Sequence, residues 1–179
     1  PPAEFISTFP DLPPVILHLL YHLGIRLQAQ IDEFLSPDYS DHIYDPFLFR
    51  DMQKAVDRIF LARENHEKIT IHGDYDADGV CASANLCTTL KAIGITEYDV
   101  FLPHRETDGY GLNINTVELL HSQGTKIIIT CDCGIGSVTE IKRANELGID
   151  VIVTDHHTIP PILPQALAII HPKVDCETY

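Results

Sequence analysis

The chain is short of positive charge. Twelve Lys and Arg stand against 26 Asp and Glu, a formal charge of −14, and such a field opposes any protein that must hold a polyanion by diffuse attraction. A nucleic-acid function would therefore rest on a local site. The imbalance is steepest over residues 69–179, where 6 basic residues face 15 acidic ones; bound divalent cations would offset part of it. No C-x-x-C pair occurs among Cys81, Cys87, Cys131, Cys133 and Cys176, and their number is odd. That argues against a disulfide framework and for reduced thiols, so a cytoplasmic setting is expected. No apolar run reaches the ~18 residues of a membrane span, and Pro1 to Pro14 lack the basic-then-apolar order of a signal peptide. No membrane partner is expected. There is no G-x-S-x-G elbow and no G-x-x-x-x-G-K-[ST] loop, which leaves a serine hydrolase or a P-loop ATPase without support. Internal repeats and low-complexity tracts are also missing.

What is present is an ordinary globular composition. The 179 residues are 45 % hydrophobic, and a chain of this size buries roughly 70 % of its unfolded surface, so one domain, or one with a small appendage, is expected. The first residue is Pro1 and the chain stops at Tyr179, so a fragment of a longer protein is expected. Residues 1–67 read as a helical N-terminal segment, with Leu48, Met52, Ala55, Val56, Ile59 and Phe60 at three- and four-residue spacing. A loop around Pro37 and Pro46 divides it. From Lys68 the rhythm changes. Apolar, β-branched runs at Ile69–His72, Val100–Leu102, Lys126–Thr130, Val151–Thr154 and Ala168–Ile170 alternate with helical stretches at Val80–Ile93, Thr116–Gln123 and Val138–Leu147. Strands alternating with helices predict an α/β fold, a parallel sheet flanked by helices, over residues 68–179. Ser137 and Glu140 predict a capping box for the third helix, with Gly148 just past its end.

In a parallel sheet every strand ends on one edge, and ligands bind outside that edge. Polar clusters follow each of the first four strands. They are His72-Gly73-Asp74-Tyr75-Asp76-Ala77-Asp78-Gly79, then His104-Arg105 with Asp108-Gly109-Tyr110-Gly111-Leu112-Asn113, then Cys131-Asp132-Cys133-Gly134, then Asp155-His156-His157. At least five carboxylates at one edge repel each other unless paired or bound to metal. Carboxylates with imidazoles suit Mn²⁺ or Mg²⁺, and the imidazoles favour Mn²⁺. Alternation would aim Asp74, Asp76 and Asp78 the same way if their segment stayed extended.

Blander readings fit less well. Asp74-x-Asp76-x-Asp78-Gly79 opens like an EF-hand loop, but Asn85 stands where a bidentate Glu is needed and a strand precedes it. Gly134-x-Gly136 with Asp155 nineteen residues on imitates a dinucleotide fingerprint, but Thr139 replaces the third Gly and Asp132 sits where a pyrophosphate would approach. Turn and cap roles suit any one of these aspartates. They do not explain why four clusters with a His-His pair share an edge. Cys131 and Cys133 have the wrong spacing for a zinc knuckle and read as packing residues. His18, His22 and His121 lie on helical stretches, and His66 and His171 read as surface groups.

These motifs, in this order, resemble the DHH phosphoesterase superfamily, named for the triplet that stands here as Asp155-His156-His157. Within it the chain is similar to the RecJ-type single-strand-specific 5′-to-3′ exonucleases of DNA repair and recombination. The Asp45-Pro46-Phe47 lead-in is similar as well. The resemblance implies that Asp76, Asp78, Asp132 and His156 ligate metal, with Asp132 bridging two ions, Mn²⁺ or Mg²⁺, in the complete enzyme. It adds Asp74 and His72 as further possible ligands, His157 as a holder of the scissile phosphate or of water, and Asp155 as its support. Arg105 would grip a 5′-phosphate, since its planar fork suits phosphate oxygens. The implied reaction is phosphodiester hydrolysis by two ions ~3.5–4 Å apart, on single-stranded nucleic acid stacked on Tyr75 and Tyr110. A further ligand Asp and a second domain follow the Asp-His-His in that group, so an incomplete metal shell and little activity are expected of this segment alone. Two other functions remain open: hydrolysis of oligoribonucleotides, cyclic dinucleotides or pyrophosphate, and a non-catalytic binding module of a replication complex.

Overall fold

The structure is a computed structural model and describes residues 1–40 and 43–174; Asp175 and Cys176 fall outside the described residues. Contacts divide the chain into two compact units, residues 1–45 and 46–179. The first holds α1 (Ala3–Thr8), α2 (Pro14–His22) and α3 (Gln28–Leu35). Pro14 opens α2, where its missing N–H costs nothing. Phe9, Leu17, Leu20 and Ile31 form this unit's small core.

The second unit begins with a 3₁₀ turn at Pro46–Leu48 and α4 (Met52–Asn65). Helix α4, part of the helical lead-in on sequence grounds, therefore belongs with the sheet. Five strands follow: β1 (Lys68–Gly73), β2 (Tyr98–Phe101), β3 (Thr125–Cys131), β4 (Asp150–Thr154) and β5 (Ala168–Ile170), with α5 (Ala77–Ala92), α6 (Ile114–Ser122) and α7 (Val138–Glu146) between them. Every pairing is parallel and the spatial order is β2-β1-β3-β4-β5. The expected α/β sheet is thus present, with β2 two residues earlier than its apolar run suggested.

Parallel strands covered on both faces become nearly continuous apolar runs, and β3 and β4 follow that rule. Ile127, Ile129 and Ile152 pack with Ala55 and Ala62 of α4 and Leu90 of α5, while Ile128, Val151 and Val153 pack with Val117 and Leu120 of α6 and Ile141 and Ala144 of α7. Arg58 of α4 fastens that helix to the sheet, bonding Glu67 at 2.6 Å and Asp150 at 2.5 Å. The predicted capping box on α7 does not form: the Ser137 side chain makes no capping bond, and Glu140 accepts instead from Thr139. Gly148 does end the helix, at φ +73, where a side chain would be strained.

Candidate metal centre

Register builds the centre. Gly73 of β1 pairs with Cys131 of β3, and Cys131 pairs with Thr154 of β4. The next residue in each strand is an aspartate: Asp74, Asp132 and Asp155. Each continues the ladder one bond past its strand, Asp74 N donating to Cys131 O at 3.1 Å, Asp132 N to Thr154 O at 3.0 Å and Asp155 N to Ile170 O at 3.2 Å. Backbone hydrogen bonding thereby sets three carboxylates side by side along the sheet's edge.

The helix after β1 supplies two more. Asp76 is the N-cap of α5, its Oδ1 accepting from Asp78 N at 2.9 Å and Gly79 N at 3.0 Å; these N–H groups, Gly79's first, hold its carboxyl below the usual range. Asp78 lies in the first turn of that helix. The three aspartates of this loop therefore do not alternate along an extended strand. Asp74 stays at the strand end, Asp76 caps, and Asp78 is carried round by the helical turn.

Asp132 is the hub. It adopts φ +62, one of two non-glycine residues in the left-handed region among the described residues. His156 Nε2 approaches its Oδ1 at 2.9 Å and His157 Nδ1 at 3.8 Å, while Asp78 Oδ2 stands 3.7 Å from His156 Nε2. Burial first, then the charges of Asp78 and Asp76, push the Asp132 carboxyl above its ordinary value. That is the mark of an anion lacking a counter-charge. Asp74 is buried as well, and its Oδ1 has no hydrogen-bond partner. Among the described residues two groups have ligand atoms within 4.8 Å of one another, Asp74 with Asp76 and Asp132, and Asp132 with His156 and His157. Both contain Asp132.

Asp155 has a different task. Its Oδ1 accepts from His156 N at 2.7 Å, His157 N at 3.0 Å and His157 Nδ1 at 2.8 Å, and its Oδ2 from Ile135 N at 2.9 Å. Burial works against the charged form, but the N–H groups of His157 and Ile135 outweigh it and hold the carboxyl low. The Asp155 hydrogen bond in turn raises His157. Tyr110 adds a second restraint, its hydroxyl 3.2 Å from Asp132 O and 3.1 Å from His157 Nδ1.

The structure gathers Asp74, Asp76, Asp78, Asp132, Asp155, His156 and His157 and leaves two expected participants apart. His72 is fully buried, stacks on Phe101, and has Cys133 Sγ 3.7 Å from Nδ1; neither ligand group includes it. Arg105 lies in the exposed loop after β2, its guanidinium 5.3 Å from the Tyr75 ring. One residue escaped the sequence reading, and a second makes contacts it did not foresee. His171 is not a surface group: it is buried, and its Nε2 donates to His157 O at 2.9 Å while Nδ1 accepts from Lys173 N at 3.0 Å. Tyr110, read above as a stacking platform, makes its contacts here through its hydroxyl. Its place after Gly109 in a cluster at the sheet edge was the signal for it; His171, one residue past β5, gave no such signal. Cys131 and Cys133 are buried, as packing residues should be, and burial pushes the Cys131 thiol up to about 11.

Residues 68–178 match the DHH family, N-terminal domain. The RecJ single-stranded-DNA-specific exonuclease of Bacillus subtilis is 42 % identical over 93 % of this chain, which covers 21 % of that relative. A crystal structure of exonuclease RecJ bound to manganese aligns with 76 % of the chain at 33 % identity and a TM-score of 0.69, the chain covering 35 % of it. RecJ from Thermus thermophilus in complex with Mn²⁺ aligns with 96 % at 28 % identity and a TM-score of 0.63, the chain covering 24 % of it. The chain thus spans between a fifth and about a third of these proteins. With the sheet, the edge cluster and the sequence match in agreement, it belongs to the DHH family.

Proposed function

We propose that this chain carries the metal-binding part of a metal-dependent, single-strand-specific 5′-to-3′ DNA exonuclease acting in DNA repair and recombination. The observation that carries the reading is the shared carboxylate. Asp132, buried and raised toward its neutral form, stands in both candidate ligand groups, which is what a residue bridging two cations requires. The donor set, hard oxygens with one or two imidazoles, fits Mn²⁺ or Mg²⁺. Asp74 and Asp76 would complete the first ion's ligands from this chain; of the two further ligands the family resemblance offered, Asp74 and His72, only Asp74 stands in a candidate group. Asp78 and His156 would serve the second. Two divalent ions, when bound, supply charge neutralisation at the phosphodiester and activation of water.

The remaining roles belong to the chain's own groups. Asp155 accepts the Nδ1 proton of His157 and, with Tyr110 and His171 as further restraints, fixes its ring. The Asp155 hydrogen bond also raises His157 and so favours its imidazolium form, in which Nε2–H can donate to a phosphate oxygen. Arg105 would grip a 5′-terminal phosphate, as its planar fork suits phosphate oxygens. The names of the relatives and the manganese in their structures support this reading. The test is Mn²⁺-dependent hydrolysis of a 5′-phosphorylated single-stranded oligodeoxynucleotide by a polypeptide extended beyond Tyr179, against its duplex and a dinucleotide. Cleavage of the single strand that disappears in Asp132→Ala is expected; preference for the dinucleotide would defeat the assignment.

A further inference from the structure

The turn that carries Asp155, His156 and His157 stands apart from the other edge clusters. The clusters after β1, β2 and β3 each run into a helix, α5, α6 and α7, whereas β4 ends at Thr154 and β5 begins only at Ala168, with no helix or strand between them among the described residues. A turn that opens into an irregular stretch has no regular element to fix its far side. Near its start it is held by its own first residue, Asp155 Oδ1 accepting from His156 N and His157 N. Its far side is held from β5. Thr154 pairs with Ile170, so Asp155 N reaches Ile170 O at 3.2 Å and, one residue on, His171 Nε2 reaches His157 O at 2.9 Å. The first and third residues of the turn are thus tied to neighbouring residues at the end of one strand.

His171 is fitted to that bond. It is 1 % exposed, and alternation from Ile169 aims it at the face covered by α6 and α7. Lys173 N can only donate, so His171 Nδ1 is the acceptor and the ring proton sits on Nε2, where a carbonyl oxygen receives it. Both ring nitrogens are engaged, and neither is left for an ion. His157 O accepts no other hydrogen bond among the described residues. The His157 ring stands in the candidate ligand group with Asp132, so whatever sets the His157 backbone also sets that ring against the metal centre.

We propose that His171 is a positioning residue for the hydrolysis: through its Nε2–H it fixes the carbonyl of His157, and with it the place of the His157 ring beside Asp132, while touching neither substrate nor metal. Without that donor the far side of the turn is free to swing, and a misplacement of about 1 Å is enough to cost about a hundredfold in rate. The proposal rests on the phosphoesterase reading above and adds to it a residue that lies outside the edge clusters and acts on one of them from β5.

His171→Gln and His171→Met separate the bond from the bulk, since the two side chains have the same length and only the amide donates where Nε2 does. Two measurements read them. The first is hydrogen exchange of the His157 backbone amide in the metal-free chain, with the Ile129 amide in β3 as the reference for global opening. The second is kcat and KM for Mn²⁺-dependent cleavage of a 5′-phosphorylated single strand by the polypeptide extended beyond Tyr179. In His171→Met the His157 amide is expected to exchange about tenfold or more faster while Ile129 stays within about twofold. The same variant should lose about ten- to a hundredfold in kcat with KM within about threefold, and His171→Gln should return each value to within about threefold of the wild type. Unchanged His157 exchange and kcat in His171→Met would overturn the proposal. So would His171→Gln as impaired as His171→Met, or an Ile129 amide accelerated as much as that of His157, since either means that the ring serves only the fold. If His171→Met does not fold, the wild type decides: its imidazole ¹⁵N spectrum should place the His171 proton on Nε2, and a proton on Nδ1 would overturn the proposal. The expected exchange pattern without any cleavage by the wild type would instead overturn the phosphoesterase reading, and the catalytic consequence with it.

Discussion

Gly79, the third residue of α5, is where the loop after β1 and the helix that follows it press together. A methyl group at Gly79 would lie 2.5, 2.6 and 2.7 Å from the N, O and Cα atoms of Asp74, whereas such atoms rest ~3.5–4.0 Å apart. All three are backbone atoms, so no rotamer relieves the overlap and Gly79→Ala must part helix from loop by about 1 Å. Asp76 caps that helix and Asp74 opens that loop, so the parting separates two carboxylates of one ligand group. Metal–ligand distances tolerate only about 0.2 Å. Overpacking costs about 1–3 kcal/mol, offset by up to about 1 kcal/mol from the better helix propensity of Ala. The net loss of about 1–2 kcal/mol lowers the melting temperature by roughly 2–8 °C in a chain of this size. Scanning calorimetry and a Mn²⁺ titration read the two effects. A lower melting temperature and a Mn²⁺ affinity reduced about tenfold or more are expected. Melting at or above the wild-type temperature with Mn²⁺ affinity unchanged would refute the reasoning, because the loop would then retreat without moving its carboxylate.

Mn²⁺ at about 100 times its dissociation constant should stabilise the wild-type chain by about 2.7 kcal/mol, and EDTA should reverse this. In Asp132→Asn the metal-dependent rise in melting temperature should vanish; its persistence would remove Asp132 from the bridging role. Asp155→Asn turns an amide N–H₂ toward donors that now meet a carboxylate, so a loss of about 1.5–3 kcal/mol and a fall in the His157 pKa, followed by NMR titration, are expected. An unshifted His157 would show that Asp155 does not hold it. His72 is buried and its pKa falls from 6.5 to about 4, so it is neutral in the folded chain at a pH where the unfolded chain protonates it. Its contribution is therefore complete above pH 6.5 and is lost as pH falls toward 4, at most about 3 kcal/mol. Urea unfolding between those limits should show a steeper decline in the wild type than in His72→Gln, and parallel declines would contradict the assignment.

Much of the fold was legible because the sheet is buried on both sides. Ile127, Ile128 and Ile129 in β3, and Val151, Ile152 and Val153 in β4, have no polar face to confuse the period, and the turns between elements carry glycine. The edge strand β2 was harder to read. Asp99 lies within it and is ion-paired at 2.6 Å to Lys68 on β1, so the apolar run marked only its end. At the site, the gathering of Asp132, His156 and His157 at one edge followed from their places just after strands of a parallel sheet. The choice between His72 and Asp74 did not, because it depends on facing. His72 lies inside β1 and points into the packing between Cys133 and Phe101, whereas Asp74 is the first residue beyond the strand. Both are polar residues in one motif, and only register distinguishes them. His171 was missed for a related reason: a histidine just past a three-residue strand has no periodic context.

The left-handed turn at Asp132 shows how the sheet builds its candidate cation site from its own end. In regular β geometry this residue would follow Ile128 and Thr130 onto the face covered by α6 and α7, where an unpaired carboxylate is untenable. At φ +62 the alternation breaks, and the side chain reaches His156 while its N–H still bonds Thr154. Such a conformation costs about 1–3 kcal/mol outside glycine, and aspartate is among the few side chains that enter it readily. The flanking Cys131 and Cys133 are both buried, so the backbone is clamped on either side of the turn and cannot relax. A carboxylate held this way, among like charges and partly desolvated, gains more from a divalent ion than from any protein partner within reach. His156, now 2.9 Å from it, is the neighbour that would share such an ion under the proposed function.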